Sequence, residues 1–378
     1  MNIQNLICTA GTSLFSNLNE LFKKFKDTPD KVTEKEKELV SPFIDRTWKK
    51  ISEKISGFSP GEKICGAEIN SIDSMLKLKY IAPGCNLLFC YSATEDGRAI
   101  NTILTHYYRL KGHRVESFEI TDLQDELPKR FRTYGLRNLA KTICKIIRSY
   151  SPASCAINAT GGYKAQIAIA VMLGQATGTP VYYKHERFDE IIAFPPMPVA
   201  LDFELWMKAS GMLFILDSTA EIVNYSEYEE EWDEKYESLV EHVNIEGKDY
   251  IELSPAGQIF HETFREKFKS TLDEILPPGT TKKFNFTMED SGHVKSKADL
   301  EVFLQKITDE IPQVTRCINY YYNPDLPSIT RFRAGAKGLE GIYSNGTYTA
   351  RFRIESTART KGQENALLAY LNEWIRYK

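Results

Sequence analysis

The sequence lacks three features that would assign it to common protein classes. Its formal net charge is −3, so no overall positive charge marks a nucleic-acid-binding protein, and any such site must be local. No apolar run approaches the length of a membrane span. The N-terminal residues are too polar for a signal peptide. We therefore expect a protein without a membrane partner.

Cysteine spacing excludes further classes. The seven cysteines are an odd number and form no C-x-x-C pair. Several lie in apolar runs, for example Cys90 and Cys155. This pattern is typical of reduced, buried thiols in a cytoplasmic protein, and it predicts no structural zinc site. We therefore expect no bound metal.

The remaining composition is that of a globular chain, with 378 residues, 42% hydrophobic and 26% charged. Apolar strand-like runs alternate with helical segments through residues 1–201, which predicts a parallel, doubly wound α/β sheet. A proline-rich run at residues 194–198 cannot continue a helix or a strand ladder, and it places the first domain boundary near residue 201. The predicted strands cover residues 3–9, 86–91, 114–120, 155–158, 181–184 and 190–194.

The most informative segment is a glycine pair that follows the fourth predicted strand. Its sequence, NATGGYKAQ, starts at Asn158 and predicts a tight turn followed by a helix. Gly161 and Gly162 let the backbone approach a ligand closely, and the helix start offers free N–H groups and a positive dipole end. Thr160 and Lys164 add a hydroxyl and an ammonium group. The set predicts a site for an anion such as phosphate; the alternative is a plain strand-to-helix turn.

Two further loops follow predicted strands. Ligands of such sheets bind at the carboxyl ends of the strands, so these loops can share one rim with the glycine turn. The first turn contains Gly11, and Thr9, Thr12 and Ser13 could donate hydroxyls to phosphate. The alternative for Thr12 and Ser13 is capping of the helix that follows. The loop after the second strand begins at Ser92.

Together, LICTAGTSLFSNL near the N-terminus and NATGGYKAQ resemble the CARF family, the Rossmann-like sensor domains of type III CRISPR systems. The resemblance covers roughly the first 200 residues. It implies that the first turn and the glycine turn line one pocket for a cyclic oligoadenylate, which acts as an allosteric activator and needs no cofactor. The expected ligand is cyclic tetra-adenylate bound across a two-fold homodimer. Some sensors of this family cleave their own ligand, which here would involve Thr12, Ser13 and Lys164.

Residues 202–277 differ in composition from the first domain. Nine acidic residues and one basic residue lie between positions 221 and 241. Residues 240–253 predict a hairpin, and Ser254 and Pro255 predict the capped start of a helix that runs to about residue 276. The order of helices, hairpin and LSPAGQIF resembles a winged helix-turn-helix. Because the local charge is acidic, we interpret this segment as a dimerising spacer, with DNA binding as the alternative.

Residues 278–378 predict a small α+β domain. Strands are expected at residues 283–288, 315–322, 329–333, 341–343 and 348–355, with helices at 296–310 and 363–376. An Asn-Gly pair at residues 345–346 predicts a hairpin turn. The sequence RFRAGAKGLEGIYSNGTYTARFRI resembles the RelE family of toxins, small α+β ribonucleases that cleave mRNA in the ribosomal A site.

Charge in this last domain is strongly basic. Seven basic residues and only two acidic residues lie between positions 329 and 361. Arginines two apart on a strand point to one face, and aromatic residues Tyr343, Tyr348 and Phe352 lie among them. This pattern favours contact with an RNA strand over a solvated, salt-bridged face.

The RelE resemblance implies catalysis by Arg, Lys and sometimes Tyr instead of a histidine pair. The 2′-hydroxyl would attack in line while cationic side chains stabilise the phosphorane charge and a Lys or Tyr takes the proton. The individual base and acid stay open, and His293 is the only histidine in this domain. The first candidates are Arg333, Lys337, Arg351 and Arg353, followed by Arg331, Tyr343, Arg359 and Lys361.

The combined expectation is a type III CRISPR effector: a cyclic oligoadenylate-activated, ribosome-dependent mRNA endoribonuclease whose partners are the ribosome and mRNA. The first alternative is a ligand-responsive winged-helix transcription regulator without nuclease activity. The second is a metal-dependent nuclease, although no D-x-K or H-x-H cluster supports it.

Overall fold

The computed structural model describes residues 3–124, 126–185, 190–198, 200–219, 222–289 and 298–377. The chain folds into two compact units, Met1–Ala200 and Leu201–Lys378. His293 and the first two residues of the helix predicted from residue 296 lie outside the described residues. No helix within the described ranges is both long and apolar enough to cross a membrane.

The first unit contains one six-stranded sheet. Its strands are β1 Asn5–Thr9, β2 Asn86–Ser92, β3 Val115–Ile120, β4 Cys155–Asn158, β5 Val181–Lys184 and β6 Ile191–Phe194. They are ordered β3-β2-β1-β4-β5-β6; the first five pair in parallel and β6 pairs with β5 antiparallel. All five residues of β1 are buried, as expected for a central strand covered on both faces. A mixed α/β fold with a parallel sheet, compatible with a Rossmann-like domain, is therefore confirmed for this unit.

Helices connect these strands and enclose a core of aliphatic and aromatic side chains. Helix α6 begins earlier than the sequence predicts, because the Thr94 hydroxyl accepts the Gly97 N–H at 3.0 Å and caps it. The helices are α1 Ser13–Asp27, α2 Glu34–Lys37, α3 Val40–Ile44, α4 Trp48–Ile55, α5 Gly66–Lys77, α6 Glu95–Leu110, α7 Pro128–Arg130 with a π-helical turn at Phe131–Gly135, α8 Leu136–Tyr150 and α9 Lys164–Thr177.

Burial of the cysteines is confirmed. All seven are free thiols inside the protein. Burial raises the pKa of Cys65, Cys90 and Cys317 to about 12, so these thiols stay protonated at neutral pH. Groups of three or more His, Cys, Asp and Glu side chains that could hold a metal ion are absent from the described part of the chain.

The N-terminal part of the second unit contains a small sheet between two helices. The helices are α10 Phe203–Ser218 and α11 Pro255–Ile275, and the strands are β7 Val223–Asn224, β8 Val240–Ile245 and β9 Lys248–Leu253. The sheet order is β7-β9-β8. Glu246 and Gly247 join the last two strands with φ values of 51° and 81°, as a type I′ turn requires, which confirms the predicted hairpin.

A five-stranded sheet and two helices form the rest of this unit. Its strands are β10 Thr287–Met288, β11 Val314–Asn323, β12 Arg331–Gly335, β13 Gly338–Ser344 and β14 Thr349–Ser356, and its helices are α12 Ala298–Glu310 and α13 Lys361–Trp374. The order is β10-β11-β14-β13-β12; β10 is parallel to β11 and the other pairs are antiparallel. The core contains Phe332, Phe352, Leu304 and Leu368. The hairpin at Asn345 and Gly346 is confirmed.

The strand predicted at residues 283–288 is wrong over most of its length. Only Thr287–Met288 pairs with β11. The Lys283 ammonium donates to the Ile311 carbonyl at 2.8 Å, and the backbone beside it makes isolated hydrogen bonds instead of a ladder. Alternation of Phe284 and Phe286 indicated a strand, but the local chain is held by side-chain contacts.

Residues 202–277 and 278–378 share the second unit. Asn372 on α13 is buried and its amide nitrogen donates to the Ser210 hydroxyl of α10 at 3.1 Å and to the Phe332 carbonyl of β12 at 2.9 Å. Its amide oxygen accepts the Phe332 N–H at 2.9 Å. A buried amide with these partners holds the helix and the strand in one register. The boundary at residue 277 stays a prediction.

Ser254→Ala should lower the free energy of unfolding of the second unit by about 1 kcal/mol. The reason is that the Ser254 hydroxyl accepts the Gly257 N–H at 2.9 Å and caps α11. Chemical denaturation followed by tryptophan fluorescence measures the change. Ser270→Ala is the matched control, because Ser270 is exposed on the same helix and bonds to the Lys267 carbonyl. Equal losses in the two variants would contradict the capping role.

Candidate functional site

The loops after β1 and β4 meet at the carboxyl edge of the first sheet. These strands are neighbours, and the chain leaves them toward different helices, α1 and α9, so the crevice between the loops is the switch point of the sheet. The Thr9 hydroxyl donates to the Gly161 carbonyl at 2.5 Å and joins the two loops. The sequence prediction that the first turn and the glycine turn share a rim agrees with this geometry.

Glycine is required at three positions of this crevice. A Cβ on Gly11 would lie 2.3 Å from the Gly162 nitrogen, and a Cβ on Gly161 would lie 2.1 Å from a Glu68 carboxylate oxygen. Gly162 has a φ of +98°, which side chains other than glycine rarely adopt. The glycines therefore permit backbone-to-backbone packing of the two loops, and Gly162 is left exposed at their surface.

Asn158 and Thr160 are held inside a hydrogen-bond network. The buried Asn158 amide oxygen accepts the Thr160 hydroxyl at 2.6 Å, and its nitrogen donates to the Ser71 hydroxyl at 2.8 Å. The Thr160 hydroxyl also accepts the Lys184 backbone N–H at 3.0 Å. Asn158 is thus a positioning residue that fixes the turn, whereas Thr160 is half-exposed and can reach a ligand.

Glu68 on α5 is a residue of this site that the sequence did not indicate. Its carboxylate accepts the Gly11 N–H at 2.7 Å and the Ser13 hydroxyl at 3.4 Å, and the side chain is buried. Burial raises the pKa of this carboxyl, while the hydrogen bond from Gly11 lowers it and only in part offsets the effect of burial. Because the Ser13 hydroxyl also accepts the Ala67 N–H at 2.9 Å, it fixes α1 to α5.

A pocket of about 480 Å³ opens beside these loops. Its cationic groups come from Lys184, His185 and Lys63, and Lys63 forms an ion pair with Glu20 at 2.7 Å. Lys184 is the last residue of β5, so its position at a strand end was the signal that would have identified it. The lining residues are Ser13, Ser16, Asn17, Glu20, Gly61, Lys63, Gly66, Ala67, Asn70, Thr160, Lys184 and His185.

Three predicted residues lie elsewhere around the crevice. Thr12 is exposed before α1 and makes no side-chain capping bond within the described residues. Lys164 is exposed at the first position of α9. Ser92 ends β2, on the far side of β1 from β4, and its hydroxyl contacts the Thr94 hydroxyl at 2.9 Å. None of the three lines the pocket that the structure describes.

In the second unit, four predicted arginines lie on one face of the five-stranded sheet. Strand pairing places Arg333 opposite Glu340 and Glu340 opposite Arg353, while Ile342 lies opposite both Arg331 and Arg351. The opposite face of the sheet carries the apolar core and is covered by α12 and α13. We call the face of Arg331, Arg333, Arg351 and Arg353 the arginine face.

Acidic residues from another part of the unit cover this face. Arg331 is 2% exposed, donates to Glu231 at 2.9 Å, and lies 4.7 Å from the Tyr228 ring centroid. Arg333 is 7% exposed and pairs with Glu230 at 2.8 Å. The expectation that arginines exceed the acids around them is therefore corrected, because the acids come from about a hundred residues earlier in the chain.

The two remaining arginines are less buried and also paired. Arg351 makes a bidentate pair with Glu230, at 2.9 and 3.1 Å. Arg353 donates to Glu289 at 2.6 Å. Hydrogen bonds from Arg351 and then Arg333 hold the pKa of Glu230 below its ordinary value. Burial raises the pKa of Glu231 in spite of the charge of Arg331.

The aromatic residues of the arginine face are not those that the sequence indicated. Tyr343 packs on Phe303 with ring centroids 4.6 Å apart and belongs to the helix-covered face, as do Tyr348 and Phe352. Burial raises the pKa of Tyr343. The rings beside the arginines are those of Tyr320 and Tyr321. They lie 5.7 Å from the Arg353 guanidinium and 5.2 Å from that of Arg351, respectively.

Lys337 lies in the turn between β12 and β13 and lines a pocket of about 330 Å³. Tyr320, Arg353, Glu289 and Glu340 line the same pocket. It combines a cation that is exposed, a ring for stacking and an arginine on a rigid strand. These are groups that can hold a phosphate and an adjacent base.

Arg359 and Lys361 lie at the start of α13 and do not line this pocket. Both are exposed, and Lys361 pairs with Glu364 at 3.0 Å. The structure therefore brings Lys337 and Arg353 together, with Arg333 and Arg351 on adjacent positions of the same face. It leaves Tyr343, Arg359 and Lys361 outside that group.

A protein-family profile described as CRISPR-associated protein (Cas_APE2256) matches residues 63–197, within the first unit. The match supports a CRISPR-associated protein. It includes β2 to β6, the glycine turn, Lys184 and Glu68. No curated protein matches the chain.

Glu68→Gln should reduce the loss of stability of the first unit as pH rises above about 4.5. The buried carboxyl has a raised pKa, so the folded chain binds its proton more tightly than the unfolded chain, and stability falls as pH rises through the interval between the two values. The substitution keeps an acceptor for the Gly11 N–H but cannot titrate. Denaturation at a series of pH values measures both slopes.

Glu34→Gln is the control for this comparison. Glu34 lies on α2 with its side chain 88% exposed, so the pH slope of this variant should match that of the wild type. Identical slopes for Glu68→Gln and the wild type would mean that Glu68 does not titrate differently on folding.

Proposed function

We propose that this chain is a CRISPR-associated effector in which the first unit binds a cyclic oligoadenylate and thereby activates an RNA-cleaving site in the second unit. The observation that carries the proposal is the crevice at the switch point between β1 and β4. There, three glycines bring two loops into contact beside a pocket with cationic side chains. The CRISPR-associated match covers the same unit.

The chemistry of the crevice suits a nucleotide phosphate. The start of α9 presents backbone N–H groups and the positive end of a helix dipole, with the exposed Lys164 at its first position. Thr160 can donate a hydroxyl, and Lys184 and His185 add cations at the pocket wall. Cyclic tetra-adenylate is the first candidate ligand, since an even-numbered ring fits a two-fold homodimer that presents each loop twice.

The nuclease part of the proposal concerns mRNA on the ribosome, as in RelE-type toxins. Lys337 and Arg353 would hold the scissile phosphate and stabilise the charge that develops on its oxygens, and Tyr320 would stack a base. The ribose 2′-hydroxyl would attack in line, with its proton taken by a side chain or ribosomal group that is not yet assigned. This chemistry needs no metal, so EDTA should not inhibit cleavage.

The alternative is a ligand-responsive transcription regulator built on α10, α11 and the three-stranded sheet. Basic residues on α11 would have to face DNA, but Arg265 donates to the Tyr377 hydroxyl at 3.2 Å and lies 3.9 Å from Glu373. The geometry therefore favours the nuclease. A gel-shift assay with promoter DNA, set beside a translation assay, distinguishes the two functions.

Cyclic tetra-adenylate should make the wild-type chain inhibit in vitro translation and produce cut mRNA, whereas Lys164→Ala should lose most of this response. The substitution removes a cation from the α9 start, where the ring phosphates would bind. Mapping of mRNA ends and calorimetry with the cyclic nucleotide measure both steps. Labelled nucleotide in the same assay tests whether Thr12, Ser13 and Lys164 support its slow cleavage.

Lys145→Ala is the control for the sensor variant. Lys145 is an exposed lysine on α8, so its loss should leave the response intact. A full response in Lys164→Ala, or no uptake of any cyclic adenylate by the wild type, would contradict the proposed sensor site. Rapid cleavage of naked RNA that is unaffected by ribosomes would contradict the ribosome-dependent part.

Lys337→Ala should lower the activated rate of mRNA cleavage by about 10²-fold to 10³-fold, the effect of removing one donor to a transition-state oxyanion. Nucleotide binding should be unchanged, because Lys337 belongs to the second unit. Lys248→Ala, an exposed lysine of the β8–β9 hairpin, should cleave at the wild-type rate. Equal rates for the two variants would exclude Lys337 from the site.

A further inference from the structure

Residues 227–231, which we call the acidic segment, are tied to the arginine face at two depths. At the deeper position the buried Arg331 pairs with Glu231 at 2.9 Å and with Glu227 at 3.6 Å. The Arg331 guanidinium also donates to the Glu227 backbone carbonyl and lies over the Tyr228 ring. These contacts bury a charge completely, so they anchor the acidic segment to the sheet.

At the shallower position Glu230 reaches over the same sheet toward solvent. Its side chain is 56% exposed, yet it makes the bidentate pair with Arg351 and a third ion pair with Arg333 at 2.8 Å. Two carboxylate oxygens against one guanidinium fork is the arrangement in which arginine also binds a phosphate. Glu230 thus occupies the place on the arginine face that a phosphate of RNA would take.

We propose that the acidic segment is an internal competitor of RNA, in which Glu230 occupies the phosphate position on Arg351 and Arg333 until it is displaced. The inference rests on the RNA-binding role proposed above for the arginine face. Partly exposed ion pairs contribute little net stability, so Glu230 can swing into water while Glu231 stays paired with Arg331. Exposure of Arg351 is then a local change within the second unit.

The contacts of neighbouring glutamates make the inference testable residue by residue. Glu229 belongs to the same 3₁₀ turn as Glu230 and Glu231, is exposed, and contacts no residue of the arginine face in the described structure. Glu231 is unsuitable for a test, because its loss would leave the guanidinium of Arg331 buried with one carboxylate fewer. Glu230→Gln with Glu229→Gln as the matched control changes the same charge at adjacent positions.

The experiment measures binding of a fluorescent single-stranded RNA oligonucleotide, 2′-O-methylated so that it cannot be cut, to the full chain by anisotropy. Glu230→Gln should bind about tenfold more tightly than the wild type and Glu229→Gln by less than about twofold. Its dependence on salt should steepen by about 0.7 in the slope of log K against log salt for each phosphate gained. Combining Glu230→Gln with Arg351→Ala should remove most of the gain.

Two results would overturn the inference. One is an affinity of Glu230→Gln within about twofold of Glu229→Gln, with the fold of both checked by circular dichroism. The other is a gain that survives Arg351→Ala, which would show that only net charge matters. Failure of the proposed function is read separately, from wild-type translation assays with cyclic tetra-adenylate. Tighter RNA binding by Glu230→Gln, with no nucleotide response in the wild type, would contradict the sensor and leave the inference standing.

Discussion

Burial of the Arg331 guanidinium is the constraint on which the second unit depends. A charge that is 2% exposed is tolerated only with opposite charges and hydrogen-bond acceptors around it. Glu231, the Glu227 carboxylate and the Glu227 carbonyl supply them. Because these partners lie on one short stretch of chain, pairing of a single side chain fixes the acidic segment on the sheet and thereby decides what covers the rest of the arginine face.

The first unit solves the related problem of a buried carboxylate without an opposite charge. Glu68 is held by the Gly11 N–H and the Ser13 hydroxyl, so its pKa rises, and the loop after β1 is fixed by the same bonds. An N–H that would otherwise be free to bind an anion is used to hold the fold. The groups left to meet a ligand are therefore the exposed start of α9 and the cations of the adjacent pocket.

Local patterns in the sequence were sufficient for most of the elements. Strand β4 and the β8–β9 and β13–β14 hairpins follow from apolar runs and turn residues alone, because those interactions join neighbours in the chain. The glycine turn was recognised for the same reason. Glu68 was missed, since its importance comes from contacts with a loop 57 residues earlier, to which no local periodicity points.

The arginine face shows where such reasoning fails. Alternation correctly placed the arginines of one strand on one side, but not the aromatic residues, since Tyr343 has the opposite parity and β11 contains a register shift between Asn319 and Tyr321. Nor does composition reveal that Glu230, 121 residues before Arg351, neutralises it. Charge counted along the chain suggested an open basic surface, whereas charge counted in space gives a paired one.

A paired face of this kind also gives a physical reason for dependence on the ribosome in the proposed function. If Glu230 competes with phosphate for Arg351 and Arg333, the intrinsic affinity for free RNA is low, and a diffusing strand seldom displaces it. An mRNA presented beside the face by another particle acts at a high effective concentration and can compete where free RNA cannot. The nucleotide then needs to favour the open arrangement only in part, because the equilibrium is shifted by both ligands together.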